Sequence, residues 1–133
     1  MRISVTFIVL TLGATLVGFG QDEQEYAGWM KTIGSTSASL RKNLAAKSSA
    51  DAAKDARALA EAFGKVHNFW TQRKVEDATN LAKAAESGFR DVAAKAEAGN
   101  FEEAEAAAKQ ASTTCAGCHK VHREKVENGW KIK

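Results

Sequence analysis

The residues best suited to carry out chemistry lie near the end of the chain, in Cys115-Ala116-Gly117-Cys118-His119. On a helix, two thiols three positions apart lie on one side of a turn, and His119 follows Cys115 by four positions on that side. Thiols at this spacing can add to the two vinyl groups of a haem, and the imidazole can donate a nitrogen to its iron. The motif predicts haem c, bound covalently through Cys115 and Cys118, with His119 as the proximal iron ligand.

Three other uses of the motif stay open at this stage. A CxxC pair can be a redox dithiol, but that use is typical of a βαβ setting, and no strand-like run surrounds the motif. The pair can supply half of a zinc site that His119, His122 or His67 would complete, although the chain has only two cysteines. The two thiols can also form a simple disulfide. We favour haem attachment because the imidazole follows the second thiol directly.

The first twenty residues have the pattern of a secretory signal peptide. Arg2 supplies a positive start, residues 3–19 are almost wholly apolar, and Gly18 and Gly20 are small residues before a polar stretch. We predict a signal peptide over residues 1–20 and export, to the periplasm if the source is a bacterium. An uncleaved membrane anchor is the alternative, because the apolar run is about as long as the shortest spanning helices. After cleavage we expect no association with a membrane.

The remaining residues, 21–133, are predicted to form one all-α domain. The signal takes one of the 19 basic residues and none of the 16 acidic ones, so 18 face 16 and the net charge is +2. This balance argues against nucleic acid or anionic lipid as a partner. The chain has no proline, and residues 21–133 are rich in the helix formers Ala, Lys and Glu.

Four segments carry apolar residues at alternating steps of three and four positions, the pattern of a helix with one buried face. We predict helices from about Asp22 to Lys47, from Ser49 to Trp70, from Val75 to Ala98, and from the N-cap Asn100 to Asn128-Gly129, with a tail over 130–133. Ser48 and Asp51 predict a capping box, and Gly99 the end of the third helix.

Short links between four such helices predict an antiparallel up-down-up-down four-helix bundle, with haem near the C-terminal end of the last helix. In that topology the start of the first helix and the ends of the second and fourth meet at one end of the bundle. Met30, His67 with Trp70, and the CxxCH motif are therefore expected to converge there.

With this motif near the C-terminus of a four-helix bundle, residues 21–133 resemble the class II cytochromes c, the family of cytochrome c′ and its low-spin relatives. A basic residue, Arg123, follows His119 by four positions, as in that family. The link at Gly99-Asn100 precedes Cys115 at the usual distance. The segment from Tyr26 to Gly34 is similar to the one in which low-spin members place an axial methionine followed by lysine.

The resemblance implies that Arg123 pairs with a haem propionate and that Met30 occupies the distal side of the iron. Met30 is the only methionine in residues 21–133, so a thioether ligand would have to be this one. His67 is the second candidate for that position. The chain departs from the family at Tyr26, where an arginine is frequent, and before Trp70, where a proline is usual.

The expected function is single-electron transport by a periplasmic mono-haem cytochrome with His/Met ligation, not enzymatic catalysis. The alternative is a five-coordinate, cytochrome c′-like protein that binds NO or CO. A peroxidase-like catalyst is a third hypothesis and would depend on His67. Expected partners are other redox proteins, met transiently through basic runs such as Lys120–Lys125 or Arg73-Lys74. The resemblance also implies a possible homodimer through the first two helices, although the exposed positions of the sequence show no clear dimer interface.

Overall fold

The computed structural model describes residues 19–133, which form four helices and a terminal hairpin. The helices are α1 Phe19–Ala45, α2 Ser49–Arg73, α3 Glu76–Glu97 and α4 Phe101–His122, followed by strands β1 Arg123–Val126 and β2 Gly129–Ile132. The predicted signal peptide lies outside the described residues except for its last two, which begin α1. Within the described part of the chain, no helix is both long and apolar enough to cross a membrane.

The core draws buried residues from all four helices, and the inner faces predicted from the spacing are confirmed. Helix α2 buries two adjoining stripes because it packs against both α1 and α3. Phe63 of α2 stacks on Phe89 of α3 with ring centroids 5.5 Å apart. Much of the rest of the core is alanine. The largest fully buried side chains of the whole core are Phe89, Leu40, Leu44, Leu59 and Val92.

Each of the three links between helices contains one residue with left-handed backbone: Lys47 (φ 54°), Lys74 (φ 57°) and Gly99 (φ 76°). The N–H of the residue that follows donates to the carbonyl five positions earlier, which satisfies the end of the preceding helix. The predicted break between Thr71 and Asp77 is confirmed, although the sequence offers no glycine or proline there.

The predicted capping box at the start of α2 is wrong in its bonding. Ser48 is the N-cap as expected, but its hydroxyl donates to the Asp51 carboxylate at 2.8 Å and caps no backbone N–H. Asn100 is likewise the N-cap of α4 without a side-chain cap. At both positions the backbone turn, rather than the side chain, defines where the helix begins.

The prediction that the last helix continues to Asn128-Gly129 is also wrong. Helix α4 ends at His122, and the chain turns back through an antiparallel hairpin in which Val126 pairs with Gly129. The backbone N–H of Lys133 donates to the His122 carbonyl at 3.0 Å, so the end of β2 caps the end of the helix. Gly129 has φ 141°, a conformation that favours glycine.

Contacts between the helices are uneven. Extensive packing joins α1 to α2, α2 to α3, and α3 to α4, whereas α1 and α4 contact each other only sparsely. We call this sparsely packed boundary the α1–α4 seam. Along α4, Ala104, Ala108 and Ala111 are buried, but Cys115 and Cys118 are only half-buried. The packing of α4 therefore loosens toward its C-terminal end.

Candidate functional site

The last two turns of α4 position the three residues of the CxxCH motif. Cys115, Cys118 and His119 are all half-buried, and both cysteine side chains pack against the core. The backbone at Gly117 passes close to α3, since a Cβ there would lie 3.7 Å from a methyl group of Leu81. The motif is thus held on a regular helix whose other side is fixed by α3.

Burial dominates the protonation of the motif. Desolvation raises the pKa of the Cys115 thiol, and it raises that of Cys118 to about 11 with help from the nearby Asp77 carboxylate. Desolvation and then the positive charge of Arg123 lower the pKa of His119. At neutral pH the thiols are protonated and the imidazole is neutral, so a ring nitrogen has a lone pair to donate.

Tyr26 connects α1 to the same end of the molecule. Its ring lies 5.8 Å from that of Trp70 and 4.5 Å from that of Phe69, and the Trp70 indole N–H donates to its hydroxyl at 3.3 Å. Burial, with smaller contributions from Cys118 and Cys115, raises the pKa of Tyr26 to about 12, although the Trp70 hydrogen bond and the charge of Arg123 act to lower it. These electrostatic couplings indicate that Tyr26 lies near both thiols.

His122, one turn after His119, links α4 to α2 and α3. Its ring centroid lies 5.1 Å from that of Trp70, and its Nε2 lies 2.7 Å from an Asp77 carboxylate oxygen. The hydrogen bond to His122 holds the pKa of Asp77 below its usual value. His122 is therefore engaged by Asp77 and Trp70.

Arg123, the first residue of the hairpin, lies beside the motif. Its guanidinium carbon is 3.9 Å from the centroid of the Trp130 ring, which stacks on it. Its Nε is buried and has no hydrogen-bond partner among the described residues. An unpartnered buried donor is costly, so this atom is suited to an acceptor such as a carboxylate that the described residues do not supply.

The two candidates for the distal ligand lie in different surroundings. Met30 follows Tyr26 by one helical turn, and its half-buried side chain packs against the core. His67 instead lies at the α2–α3 boundary, with its Nδ1 3.8 Å from a Glu86 carboxylate oxygen. The contacts found for His67 thus lead to α3 and not to the motif.

The surroundings of the two cysteines bear on the alternative uses of the motif. Both cysteines are free thiols. Among the described residues, no three or more Cys, His, Asp or Glu side chains come together as a group that could hold a metal ion. A surface pocket of about 450 Å³ lies beside Lys47 and Gly99, and one of about 250 Å³ lies beside Trp29 and Arg73. Neither of these two pockets includes a residue of the motif.

Sequence reasoning missed two features of this site. The Asp77–His122 pair joins residues 45 positions apart, and no local pattern indicates it. The hairpin that carries Arg123 and Trp130 had a local signal, since an Asn-Gly pair between short runs is typical of a hairpin turn as well as of a helix end. Comparison with known proteins adds no relatives: no family model, curated protein or solved structure matches this chain.

Proposed function

We propose that this chain is an exported mono-haem c-type cytochrome that carries single electrons. In this proposal residues 1–20 are the signal peptide, and residues 21–133 form an antiparallel up-down-up-down bundle of the class II cytochrome c type. Contacts at both ends support that topology. At one end Tyr26 contacts Trp70, Trp70 contacts His122 and His122 contacts Asp77, and at the other end the Ser49 hydroxyl donates to the Ala96 carbonyl.

The observation that carries the proposal is the α1–α4 seam. The proposed attachment residues lie on α4 and the proposed distal ligand lies on α1, two neighbouring helices that pack against each other only sparsely. A flat cofactor between helices needs such a boundary, because a tightly packed one could not separate without losing buried contacts. The two pockets described above are elsewhere, so we propose that α1 moves outward from α4 as the cofactor binds.

The side chains of the motif fit covalent haem. Free, half-buried thiols at Cys115 and Cys118 can form two thioethers, and the lowered pKa of His119 keeps its imidazole neutral for coordination. The buried Nε of Arg123 offers a donor to a propionate. When bound, haem supplies a one-electron couple whose potential depends on its axial ligands.

The protein's own contribution is to hold the ligands still and keep them in an apolar setting. Trp70 and Tyr26 form a buried aromatic wall beside the motif, which restricts water. His122 ties the end of α4 to Asp77, so the proximal helix is braced on two sides. A site that is fixed in this way changes little between oxidation states, which favours rapid electron exchange.

One observation favours the five-coordinate alternative. Tyr26 is connected through Trp70 to His122 at the end of α4, whereas Met30 lies one turn further along α1. If Tyr26 rather than Met30 faces the iron, the sixth position stays open and binds NO or CO. The experiment below therefore separates the two functions.

The test is the absorption spectrum of the holoprotein, oxidised and reduced, with and without CO. We expect a low-spin spectrum with a sulfur-to-iron charge-transfer band and no response to CO. Met30→Ala should remove that band and admit CO, whereas His67→Ala, the matched control, should leave both unchanged. A high-spin native spectrum that shifts with CO would establish the gas-binding alternative.

Covalent attachment is tested in parallel. Haem should stay with the denatured native chain and be released from the Cys115→Ala/Cys118→Ala variant. Absence of any haem spectrum after co-expression with haem-attachment machinery would contradict the proposal.

A further inference from the structure

Residues 120–133, which we call the hairpin surface, contain the net excess of positive charge of the chain. They contain five Lys or Arg and two Asp or Glu, which leaves fourteen residues of each sign in residues 1–119. The entire formal net charge of +3 therefore belongs to the segment that directly follows the CxxCH motif. A local excess of one sign steers partners of the opposite sign toward that face.

The same segment exposes the apolar side chains that the rest of the described chain keeps covered. Among the described residues, the large hydrophobic side chains with high exposure are Val121 (51%), Val126 (36%) and Trp130 (55%), and all three lie on the hairpin surface. Val121 belongs to α4 and Val126 lies on the face of the hairpin opposite Trp130, so Trp130 is the main apolar group on its own face. Tryptophan is also the residue type most enriched among those that dominate binding energy.

The strand register shows how this surface is presented. Lys125 pairs with Trp130, and Arg123 pairs with Ile132, so these four side chains share one face of the hairpin. Ile132 packs against the core and anchors that face to the bundle. On the other face, Lys131 and Glu124 form an ion pair at 2.8 Å.

The surface also lies beside the motif. The stack of Arg123 on Trp130 connects an exposed aromatic ring to the residue whose charge lowers the pKa of His119. A partner that covers Trp130 would therefore lie beside Arg123, which follows the proposed proximal ligand His119 by four positions. Electron exchange needs such closeness but no deep insertion.

We propose that the hairpin surface is the docking site for an acidic one-electron redox protein, an inference that rests on the proposed function. Trp130 provides the apolar centre with the exposed Lys125 on the same face of the hairpin, and exposed lysines at positions 120, 131 and 133 add positive charge around the segment. The charge is modest and interspersed with Glu124 and Glu127, which suits a protein with a mixed acidic patch better than a polyphosphate chain. A rim of charge around a small apolar centre gives fast, salt-dependent and short-lived binding.

The test is NMR titration of the reduced, isotope-labelled holoprotein with an acidic [2Fe–2S] ferredoxin as the probe. We expect the amide shifts to concentrate in residues 120–133 and the binding to weaken as salt is added. The double variant Lys125→Glu/Lys133→Glu should raise the Kd by about tenfold, which is the effect of losing roughly 1.4 kcal/mol of attraction. Both lysines are exposed, so the fold should be retained, and far-UV circular dichroism checks this.

The matched control is Lys42→Glu/Lys54→Glu, which makes the same change in net charge at two exposed positions on α1 and α2. It should change the Kd by less than about twofold, because net charge alone is not the cause of docking. Trp130→Ala should weaken binding in addition, whereas Val126→Ser, on the opposite face of the hairpin, leaves the Arg123 stack in place and should have little effect.

Equal loss in the two double variants, or shifts spread over the whole chain, would overturn the docking proposal. So would stronger binding to anionic lipid vesicles or to duplex DNA than to the ferredoxin, or shifts that appear on self-association alone. The absorption spectrum of the same sample tests the proposed function separately. A haem protein that ignores the ferredoxin refutes only the docking site, and a haem-free chain refutes the electron carrier.

Discussion

Tyr26 changes the charge and polarity of the surroundings of the CxxCH motif. The class II resemblance leads to the expectation of an arginine at this position, four residues before Met30. The structure instead has a buried phenol that accepts a hydrogen bond from Trp70 and lies near both thiols. A neutral aromatic side chain here replaces a positive charge beside the proposed iron, and it makes the stability of this end of the bundle sensitive to alkali.

Tyr26 predicts a loss of stability at high pH. Its folded pKa of about 12 exceeds the model-peptide value of 10.0, so the native state keeps its proton where the unfolded chain has lost it. The stabilisation is complete below pH 10 and declines as the pH rises toward 12. For the haem-free chain we expect a loss of about 1 kcal/mol in the free energy of unfolding between pH 8 and pH 11.

The control is Tyr26→Phe, measured by urea unfolding at both pH values. It should cost about 1 kcal/mol at pH 8 through the lost hydrogen bond and should abolish the alkaline decline attributed to this group. An equal decline in both proteins would show that lysine titration, and not Tyr26, is responsible.

Residue types near the motif were predictable from the sequence, but their partners were not. Cys115, Cys118 and His119 are close together because they share a helix, so their spacing alone predicts it. His67 was expected at the proposed haem end, yet it lies against Glu86 because the rotation of α2 turns it toward α3. The rotation of α2 about its axis is set by packing between helices. The spacing of apolar residues along α2 does not determine it closely enough to place a residue one position away from the buried stripe.

At the scale of elements, α3 and α4 approach each other unusually closely at one point. A Cβ added at Gly88 would lie 2.8 Å from the Cβ of Ala111, nearer than real Cβ atoms come. Ala111 lies four positions before Cys115 on α4, so this contact helps to fix where α4 presents Cys115.

We expect Gly88→Ala to lower the free energy of unfolding by about 1–3 kcal/mol, because the overpacking exceeds the gain in helix propensity. Gly34→Ala in α1 is the matched control: nothing lies within 4 Å of its added Cβ, so it should stabilise by up to about 1 kcal/mol. Chemical unfolding of the three proteins gives the comparison. Ala111→Gly added to Gly88→Ala should recover part of the loss, and a stabilising Gly88→Ala would contradict the close contact.

The link between α2 and α3 uses a lysine where glycine would be favoured. Lys74 has φ 57°, a conformation that costs an L-residue about 1 kcal/mol. Lys74→Gly should therefore raise the free energy of unfolding by roughly 0.5–1 kcal/mol. Lys54→Gly, at an exposed position inside α2, should lower it by about the same amount. A thermal melt of both variants decides, and destabilisation by Lys74→Gly would refute the strain.

The helices were predictable, whereas the Asn-Gly signal for the hairpin was ambiguous, for a physical reason. Alanine-rich segments with steps of three and four residues have one way to bury their apolar face, so the starts at Ser49 and Phe101 followed from the sequence. Beyond His122 no buried residue continues the stripe, and the segment is held by its own strand pairing and by Ile132. A helix and a hairpin compete closely there, and a contact with the bundle decides.

For the whole molecule, the core is independent of the motif. Every fully buried hydrophobic residue lies outside Cys115–His119, and the four helices pack through them. We therefore expect the haem-free Cys115→Ala/Cys118→Ala chain to keep its helical circular dichroism and a cooperative transition. Its free energy of unfolding should lie within about 1–2 kcal/mol of that of the haem-free native chain. A broad, non-cooperative melt would show that the bundle requires its cofactor to fold.

The α1–α4 seam has a consequence in polymer terms. In the proposed carrier, a ligand bond at Met30 and attachments beside His119 would join the first helix to the last and close a loop of about 90 residues. By the logarithmic loop law, such a cross-link removes about 4 kcal/mol of unfolded-chain entropy, whereas a five-coordinate iron removes none across the seam. Ligation by Met30 would then stabilise the fold as well as set the electronic properties of the iron. Loss of Met30 from the iron would remove the cross-link and allow α1 to separate from α4 at the α1–α4 seam.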